Sequence, residues 1–327
     1  MDNSSAAVKL YGYLLAKGLG NPRKVVLSKL STIRIGGEAI LAQAGSIKEL
    51  EKIIQAAQSH ACRAVIVGGG SNTLYPDTCL KALAISLTGE LAQIEIKTEA
   101  GLDENQVLVK VGAGLGLGRL LQEAANEGLS GLEFLAGIPG TVGGAVCGNA
   151  GAAGGSISDK IESIFLHEYC EGEKEIFKGD FQPGYRTMGL DLKDGEIVIT
   201  AVTFKLEKKD PQAVRSAMAE RIRERSLCQP KEPSLGCFFL NPKGISAGML
   251  IDQCHLKDLA YERALISNLH ANFIINNSNA KAFDVCELAN IVRSLVYKHH
   301  KIILEPEVKI WDDYGRDIGL KTFQIVT

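Results

Sequence analysis

Between Phe134 and Ser158 the chain runs for 25 residues without a charge, and eight residues of the segment 137–155 are glycine. A stretch of that length could cross a bilayer as a helix. Pro139, Asn149 and the glycines exclude a span, because glycine and proline are the poorest helix formers and large aliphatic side chains are few. A flexible linker is another use of glycine, but linkers are not laced with Phe134, Leu135, Ile138, Val142 and Val146. Glycine-rich chain loses much conformational entropy on folding and buries little apolar surface, so something else must favour its order. A main chain drawn close to a large flat ligand bearing phosphates meets that need. Side chains would obstruct the approach, while Thr141 and Asn149 could hydrogen-bond to the ligand.

The whole chain carries 35 glycines in 327 residues, above the ordinary ~7%. Gly68-Gly69-Gly70-Ser71-Asn72 follows a predicted strand, Ala64–Val67, and has the composition of an anion cradle, although a turn needing positive φ would read the same way. Gly112-x-Gly114-x-Gly116-x-Gly118 fails the dinucleotide spacing and lacks the lysine of a nucleoside-triphosphate loop. It reads as a backbone turn before a helix.

Lys and Arg total 36 against 38 Asp and Glu, a formal charge of −2. That balance argues against nucleic acid or an anionic membrane as the main partner. Eight cysteines are scattered without a C-x-x-C pair, and the six histidines form no metal-ligand pattern. No metal is expected. The segment from Met1 to Gly20 is broken by Lys9 and Lys17 and lacks an apolar signal core, so a soluble, cytoplasmic protein is expected.

The length suggests two or three domains. Ser46-Ile47-Lys48-Glu49 has the form of a capping box ahead of Leu50, Ile53 and Ile54. Val107–Val111 and Val198–Leu206 read as strands, and Leu117–Glu127 as a helix stopped by Gly128. Val214, Met218 and Ile222 mark a helix over 212–226, and the proline-bearing stretch Cys228–Pro233 reads as a link between domains. Val285, Leu288, Ile291, Val292, Leu295 and Val296 form one helical stripe, closed by Lys298–Lys301 where cations suit the negative helix end. Helices and strands alternate irregularly, which predicts an α+β protein with two lobes.

Taken in order, the motifs resemble those of the UDP-N-acetylenolpyruvoylglucosamine reductase (MurB) family. They are Thr32-Ile-Arg-Ile-Gly-Gly, Gly68-Gly-Gly-Ser-Asn, and the run from Gly131 through Gly137-Ile-Pro139-Gly140-Thr141-Val-Gly143-Gly144 to Asn149-Ala-Gly. Tyr185-Arg186, Gly236-Cys237-Phe-Phe-Leu-Asn241-Pro, Ala247-Gly-Met-Leu-Ile-Asp-Gln, His270-Ala-Asn-Phe-Ile-Ile-Asn and Pro306-Glu307-Val follow. The resemblance implies an α+β flavin-binding module of the vanillyl-alcohol-oxidase (PCMH) type with a C-terminal α+β substrate lobe. The expected division is 1–85 and 86–227 for two FAD-binding subdomains and 228–327 for the substrate-binding domain. The implied reaction reduces the enolpyruvyl ether of a UDP-sugar to UDP-N-acetylmuramate, with NADPH first reducing bound FAD, in peptidoglycan precursor synthesis.

The same resemblance implies site residues. Gly68, Gly69, Gly70, Ser71, Asn72, Gly137, Pro139, Gly140, Thr141, Gly143, Gly144 and Asn149 would hold FAD. No His or Cys lies beside the 68–72 loop, so non-covalent binding is expected. Arg186 and Glu307 would hold the substrate carboxylate and the developing enolate; taken alone, they would pass for a surface ion pair and a strand-edge carboxylate. Arginine suits a planar carboxylate, whereas Glu307 can assist only if it is protonated or bridged through its partners. Cys237 stands where many members carry serine and would be the proton donor. A thiol of ordinary pKa, ~8.5, stays mostly protonated at neutral pH and is a stronger acid than a hydroxyl. The other seven cysteines are expected to be buried and structural. Tyr185, Arg225 and Asn241 would contact the substrate. Glu224 replaces the second member of a basic pair, and Ala260-Tyr261-Glu262-Arg263 departs from a glycine pair. Another FAD-linked oxidase or dehydrogenase of the same superfamily is the alternative. Nothing in the sequence sets the oligomeric state; a monomer is expected.

Overall fold

The alternation at Val198–Leu206 becomes the strand Ile197–Lys208, the spine of the larger sheet in the computed structural model. The structure describes residues 3–97, 103–152, 154–169, 171–190, 192 and 197–320; Met1, Asp2 and Cys170 lie outside the described residues. Two compact units divide the chain. One comprises 1–23, 41–69 and 83–225, the other 24–40, 70–82 and 226–327.

In the first unit, Ile197–Lys208 pairs antiparallel with Ile161–Glu168 on one side and Gln106–Gly112 on the other. Gly172–Phe177 and Ile94–Lys97 form the outer strands, and Leu129–Ser130 joins the end of the spine. Seven consecutive residues of the spine, Val198–Phe204, are buried, so both faces of this sheet are covered there. The alternation of its sequence therefore does not separate a covered face from an open one. A parallel pair, Ala64–Ile66 with Leu83–Leu87, carries the chain to Gly68. The helix Ile47–Ser59 buries Leu50, Ile53 and Ile54, as its spacing predicts. Ser46 Oγ accepts from the Glu49 N–H at 3.3 Å. The Glu49 carboxylate turns instead to the N–H groups of Gly45 (2.8 Å) and Gly20 (3.1 Å), so only half of the expected box forms.

A short 3-10 turn, Glu133–Leu135, leads into the uncharged stretch, which forms a six-residue helix, Val142–Cys147, followed by a hairpin pairing Gly151–Ala152 with Gly155–Ser156. No helix among the described residues is long and apolar enough to cross a membrane.

The second unit carries an antiparallel sheet in the order Ser234–Cys237, Phe273–Asn276, Ala264–Ile266, Ala260–Tyr261. The helix Ala282–His300 packs against it and buries Val285, Leu288, Ala289, Val292 and Val296. Each of the valines and the leucine contributes about 1.5–3 kcal/mol, the alanine less. Ile291 and Leu295 lie at the margin of that face, while Arg293 is buried within it. Lys301 closes the helix in the left-handed conformation.

Three cysteines expected to be buried, Cys79, Cys147 and Cys228, are exposed, because they lie in a loop and at the C-terminal ends of two helices.

Candidate functional site

Gly68 and Gly69 continue directly from the buried strand, where the Val67 N–H donates to Ile85 O at 2.8 Å. A Cβ on Gly69 would lie 2.7 Å from Gly140 Cα, and one on Gly68 would lie 2.7 Å from Thr141 Oγ1. Only a bare main chain fits there. Thr141 caps the short helix, its Oγ1 accepting from the Gly144 N–H at 3.3 Å. The Leu117 N–H donates to Gly140 O and the Val142 N–H to Leu115 O, both at 2.9 Å, so the third glycine stretch runs antiparallel to 140–142. Gly68, Gly69, Gly137, Pro139 and Gly144 leave main chain exposed, and no charged side chain occurs in 68–72 or 134–158. Exposed backbone, a capping hydroxyl and no acid to repel phosphate are features that fit FAD.

Asn149 sits at the far end of that helix, 6% exposed, with φ +40°. Its Oδ1 accepts from the Ser158 N–H at 3.2 Å and its Nδ2 donates to Gly184 O at 2.9 Å. The side chain expected to reach the cofactor is thus engaged with main chain on both sides. Gly184 and Thr187 close a tight turn with Tyr185 and Arg186 at its tip. Arg186 adopts φ +58°, and its Nη1 donates to Gly151 O at 3.1 Å. Its guanidinium stacks 5.5 Å from the centre of the exposed Tyr185 ring. Arg225 lies along Gly137, with Nη2 donating to Phe134 O at 3.4 Å.

In the second unit, the Thr32 N–H donates to Gly70 O (3.0 Å) and its Oγ1 donates to Ser234 O (2.6 Å). Thr32 therefore ties Gly70 to the strand that carries Cys237. Asn72 Nδ2 donates to Glu307 O at 3.1 Å, and Thr73–Leu74 pairs in parallel with Lys309–Ile310. The Glu307 N–H donates to Phe238 O at 2.8 Å. Cys237 and Glu307 are thereby held on either side of one peptide, both half-buried. Asn241 Oδ1 accepts from the Ala247 N–H at 2.9 Å, at the start of the helix Ala247–Gln253. Arg293 Nε donates to Leu304 O at 2.9 Å and steadies the chain leading to Glu307.

Cys237, Asn241, Asn72 and Glu307 thus belong to one unit, and Tyr185, Arg186, Arg225 and the 137–149 segment to the other. Sequence reasoning singled out the His270-Ala-Asn272 motif without assigning work to it. The His270 pKa is lowered, chiefly by burial and further by nearby Lys257, against an opposing backbone hydrogen bond. Its Nδ1 accepts from the Asn272 N–H at 3.2 Å, as a neutral ring does.

An antiparallel sheet together with exposed glycine main chain and no acidic residue in 68–72 or 134–158 is the arrangement of a flavin-binding protein of the α+β class. The family model described as FAD binding domain matches residues 39–167, and the one described as UDP-N-acetylenolpyruvoylglucosamine reductase, C-terminal domain, matches 229–311. The reductase of that name from Chlamydia muridarum is 38% identical over 288 residues, 88% of this chain and 93% of the relative. That from Syntrophobacter fumaroxidans is 36% identical over 282 residues, 86% and 80% of the two chains. The crystal structure of the Thermus caldophilus enzyme matches with a TM-score of 0.74 at 34% identity, covering 89% of this chain and 99% of that one. The chain belongs to the UDP-N-acetylenolpyruvoylglucosamine reductase family. It is an FAD enzyme of peptidoglycan precursor synthesis, acts on a UDP-sugar and uses NADPH as co-substrate.

Proposed function

We propose that Cys237 is the proton donor of the enolpyruvyl reduction and that Arg186 and Glu307 hold the carboxylate it generates charge upon. The observation that carries this reading is the junction at Phe238, where Glu307 hydrogen-bonds the peptide next to Cys237. Held by the glycine segments 68–72 and 137–144, FAD would supply hydride chemistry, with NADPH as reductant, at the terminal vinyl carbon of the substrate. Negative charge then grows on the carbon beside the carboxylate and into the carboxylate itself. The Arg186 guanidinium, its Nη1 already anchored on Gly151 O, stabilises that charge through the in-plane N–H donors of its fork. The thiol of Cys237 gives its proton to the same carbon, and the thiolate left behind recovers a proton from solvent. Glu307 acts as a hydrogen-bond partner of the enolate when protonated or bridged.

Gly68, Gly69, Gly70, Ser71, Asn72, Gly137, Pro139, Gly140, Thr141, Gly143 and Gly144 are assigned to FAD, held non-covalently. Asn149 supports this cradle through its contacts with Ser158 and Gly184. Tyr185, Arg225 and Asn241 are assigned to the substrate, Asn241 through an amide oriented by Ala247. The working division is 1–85 and 86–227 for cofactor and 228–327 for substrate, in a monomeric cytoplasmic enzyme. The test is anaerobic and optical. NADPH should bleach the flavin band of the purified protein, and the enolpyruvyl sugar nucleotide should restore it. Cys237→Ser should remain substantially active. Cys237→Ala should keep normal flavin reduction and lose most turnover; reoxidation by substrate as fast as in the parent would overturn the donor assignment.

A further inference from the structure

The strand Ser234–Cys237 pairs with Phe273–Asn276, but the register shifts before Cys237 and the regular ladder ends there. Beyond that point the chain is handed to another segment: the Leu240 N–H donates to Glu305 O, and Phe239 bridges Pro306. The handover lies in the core of the second unit, where Phe238 and Phe239 are each 1% exposed. Peptide groups buried there need partners, and a chain between two ladders is where they are easily lost.

Asn272, 2% exposed, supplies them. Its main-chain O accepts from the Phe238 N–H at 2.8 Å. Its side-chain Oδ1 accepts from the Phe239 N–H at 2.9 Å, and its Nδ2 donates to Phe239 O at 2.8 Å. One amide side chain therefore stands in for a strand partner and pairs both polar groups of a single residue. Phe238 O, immediately before this clamp, accepts from the Glu307 N–H, and Cys237 immediately precedes Phe238. Gly236, at φ +78°, gives the chain its bend on the other side.

We infer that Asn272 is a positioning residue of the reduction, fixing the Phe238–Phe239 peptide so that Cys237 and Glu307 keep a common register. It touches neither cofactor nor substrate and acts through the main chain. The inference rests on the proposed donor role of Cys237. It goes beyond that role by tying proton delivery to an amide 35 residues downstream of the thiol. A leucine of similar size would fill the space but leave the Phe239 N–H and C=O unpaired. An aspartate would keep the shape and the acceptor, and it would donate to Phe239 O only when protonated.

The test uses the flavin-loaded enzyme and its Asn272→Asp and Asn272→Ser variants in separate half-reactions. NADPH reduction of the flavin should stay within ~2-fold of the parent, while reoxidation by the enolpyruvyl substrate should slow roughly 10- to 100-fold at neutral pH, the scale expected of a small misplacement. For Asn272→Asp the ratio of variant to parent reoxidation should rise as pH is lowered from ~9 to ~6, because burial opposite a carbonyl raises the introduced carboxyl's pKa and protonation restores the donor. Neutral His270, the titratable ring bonded to the Asn272 N–H, and nearby Lys257 are present in both proteins and cancel in that ratio. A second readout is binding of UDP-N-acetylmuramate, followed by its perturbation of the oxidised flavin spectrum; it should change less than ~3-fold, separating misplacement from loss of the substrate lobe. A parallel fall in both half-reactions, failure of both variants to accumulate as flavin-loaded protein, or full-speed reoxidation at every pH would each overturn the inference. Unimpaired reoxidation in Cys237→Ala overturns the donor assignment instead, whatever the Asn272 variants do.

Discussion

A methyl group at position 69 would sit 2.7 Å from Gly140 Cα, a separation real Cβ atoms do not reach, and the obstacle is main chain that cannot swing aside. Gly69→Ala is therefore expected to cost about 1–3 kcal/mol, the usual penalty of overpacking, and to weaken flavin retention because the two exposed main chains are pushed apart. The ratio of flavin to protein absorbance and a thermal melt measure both effects. Gly12 is the contrast: it lies mid-helix in Asn3–Lys17 with nothing within 4 Å of a Cβ. Its replacement by alanine should stabilise by about 0.5–1 kcal/mol through helix propensity. A gain in flavin affinity at position 12, or unchanged retention in Gly69→Ala, would show that the close approach at 69 is not what shapes the cradle. The two sites also show how far composition could be read. Glycine density marks the loops proposed for the cofactor, but it ascribes the bareness of 68–72 and 131–155 to the ligand, while part of it answers neighbouring main chain. Gly68 and Gly69 are bare against 140–141, Gly112 against Leu91 and Ala92, and Gly114 against Leu87. The last two answer the glycine stretch whose spacing fits no phosphate loop. Such partners lie tens of residues away, and no local pattern announces them. Asn272 was hidden for the same reason, because its partners Phe238 and Phe239 lie just past the end of the ladder at Cys237, which only the register reveals.

Elements were legible where one periodicity met one partner, and less so where the partner lies on another element. Ile47–Ser59 buries the face its spacing predicts, Leu117–Asn126 forms where it is expected, and Ala282–His300 buries Val285, Leu288, Val292 and Val296 of its stripe. Pro211–Cys228 also forms at the expected place, yet of its stripe only Val214 is buried, while Ile222 is 49% exposed. Spacing establishes a helix; it does not say how much of the stripe another element covers. Val214→Ala should accordingly cost about 2 kcal/mol in chemical denaturation. Ile222→Ala should stay within ~0.5 kcal/mol of the parent. Equal costs at the two positions would mean that the outer half of the helix is covered in solution. The departure at 260–263 has a local explanation. Tyr261 pairs with Ala264, leaving Glu262 and Arg263 as a two-residue hairpin turn with Glu262 at φ +50°. A glycine pair would take that conformation without a Cβ penalty. Here Arg263 Nη1 donates to Ser278 O at 3.0 Å and helps hold the turn. The capping residue Ser46 was readable from four consecutive letters, but the second acceptor role of Glu49 involves Gly20, 29 residues away, and was not.

At the scale of the whole molecule, the chain passes between its two units five times, and the second unit is not a C-terminal domain in the sense of sequence order. The stretch 229–311 matches a family model by itself, and a link at Cys228–Pro233 suggests a clean boundary. The packing says otherwise. Ile33, Ile35 and Leu74, from two earlier strips, sit in the same core as Leu250, Val285, Leu288 and Val308. Asn276 Nδ2 donates to Ile33 O at 2.8 Å, and the short strand Lys309–Ile310 has Thr73–Leu74 as its partner. Three fully buried aliphatic side chains are worth roughly 5–9 kcal/mol together, against a total stability of about 5–15 kcal/mol for an ordinary domain. A fragment of residues 226–327 should therefore lack a cooperative thermal transition and a near-ultraviolet dichroism signal of fixed aromatic packing, while keeping part of its helical signal from Ala282–His300. Adding the strips 24–40 and 70–82 as separate peptides should restore neither at equimolar concentration, because each must then pay the association entropy that the intact chain avoids. Joining them covalently to the fragment should restore both. If the bare fragment melts cooperatively, the two strips are an ornament of the unit rather than part of its core, and the interleaving must serve something other than stability. Asn72, which bonds the Glu307 main chain, enters the second unit on the strip that begins at Gly70, directly after the exposed Gly68 and Gly69 proposed to hold the flavin. Three residues of chain and one hydrogen bond therefore connect Gly69 to the Glu307 main chain, so flavin bound at the proposed loop is expected to restrict the segment proposed to carry Glu307.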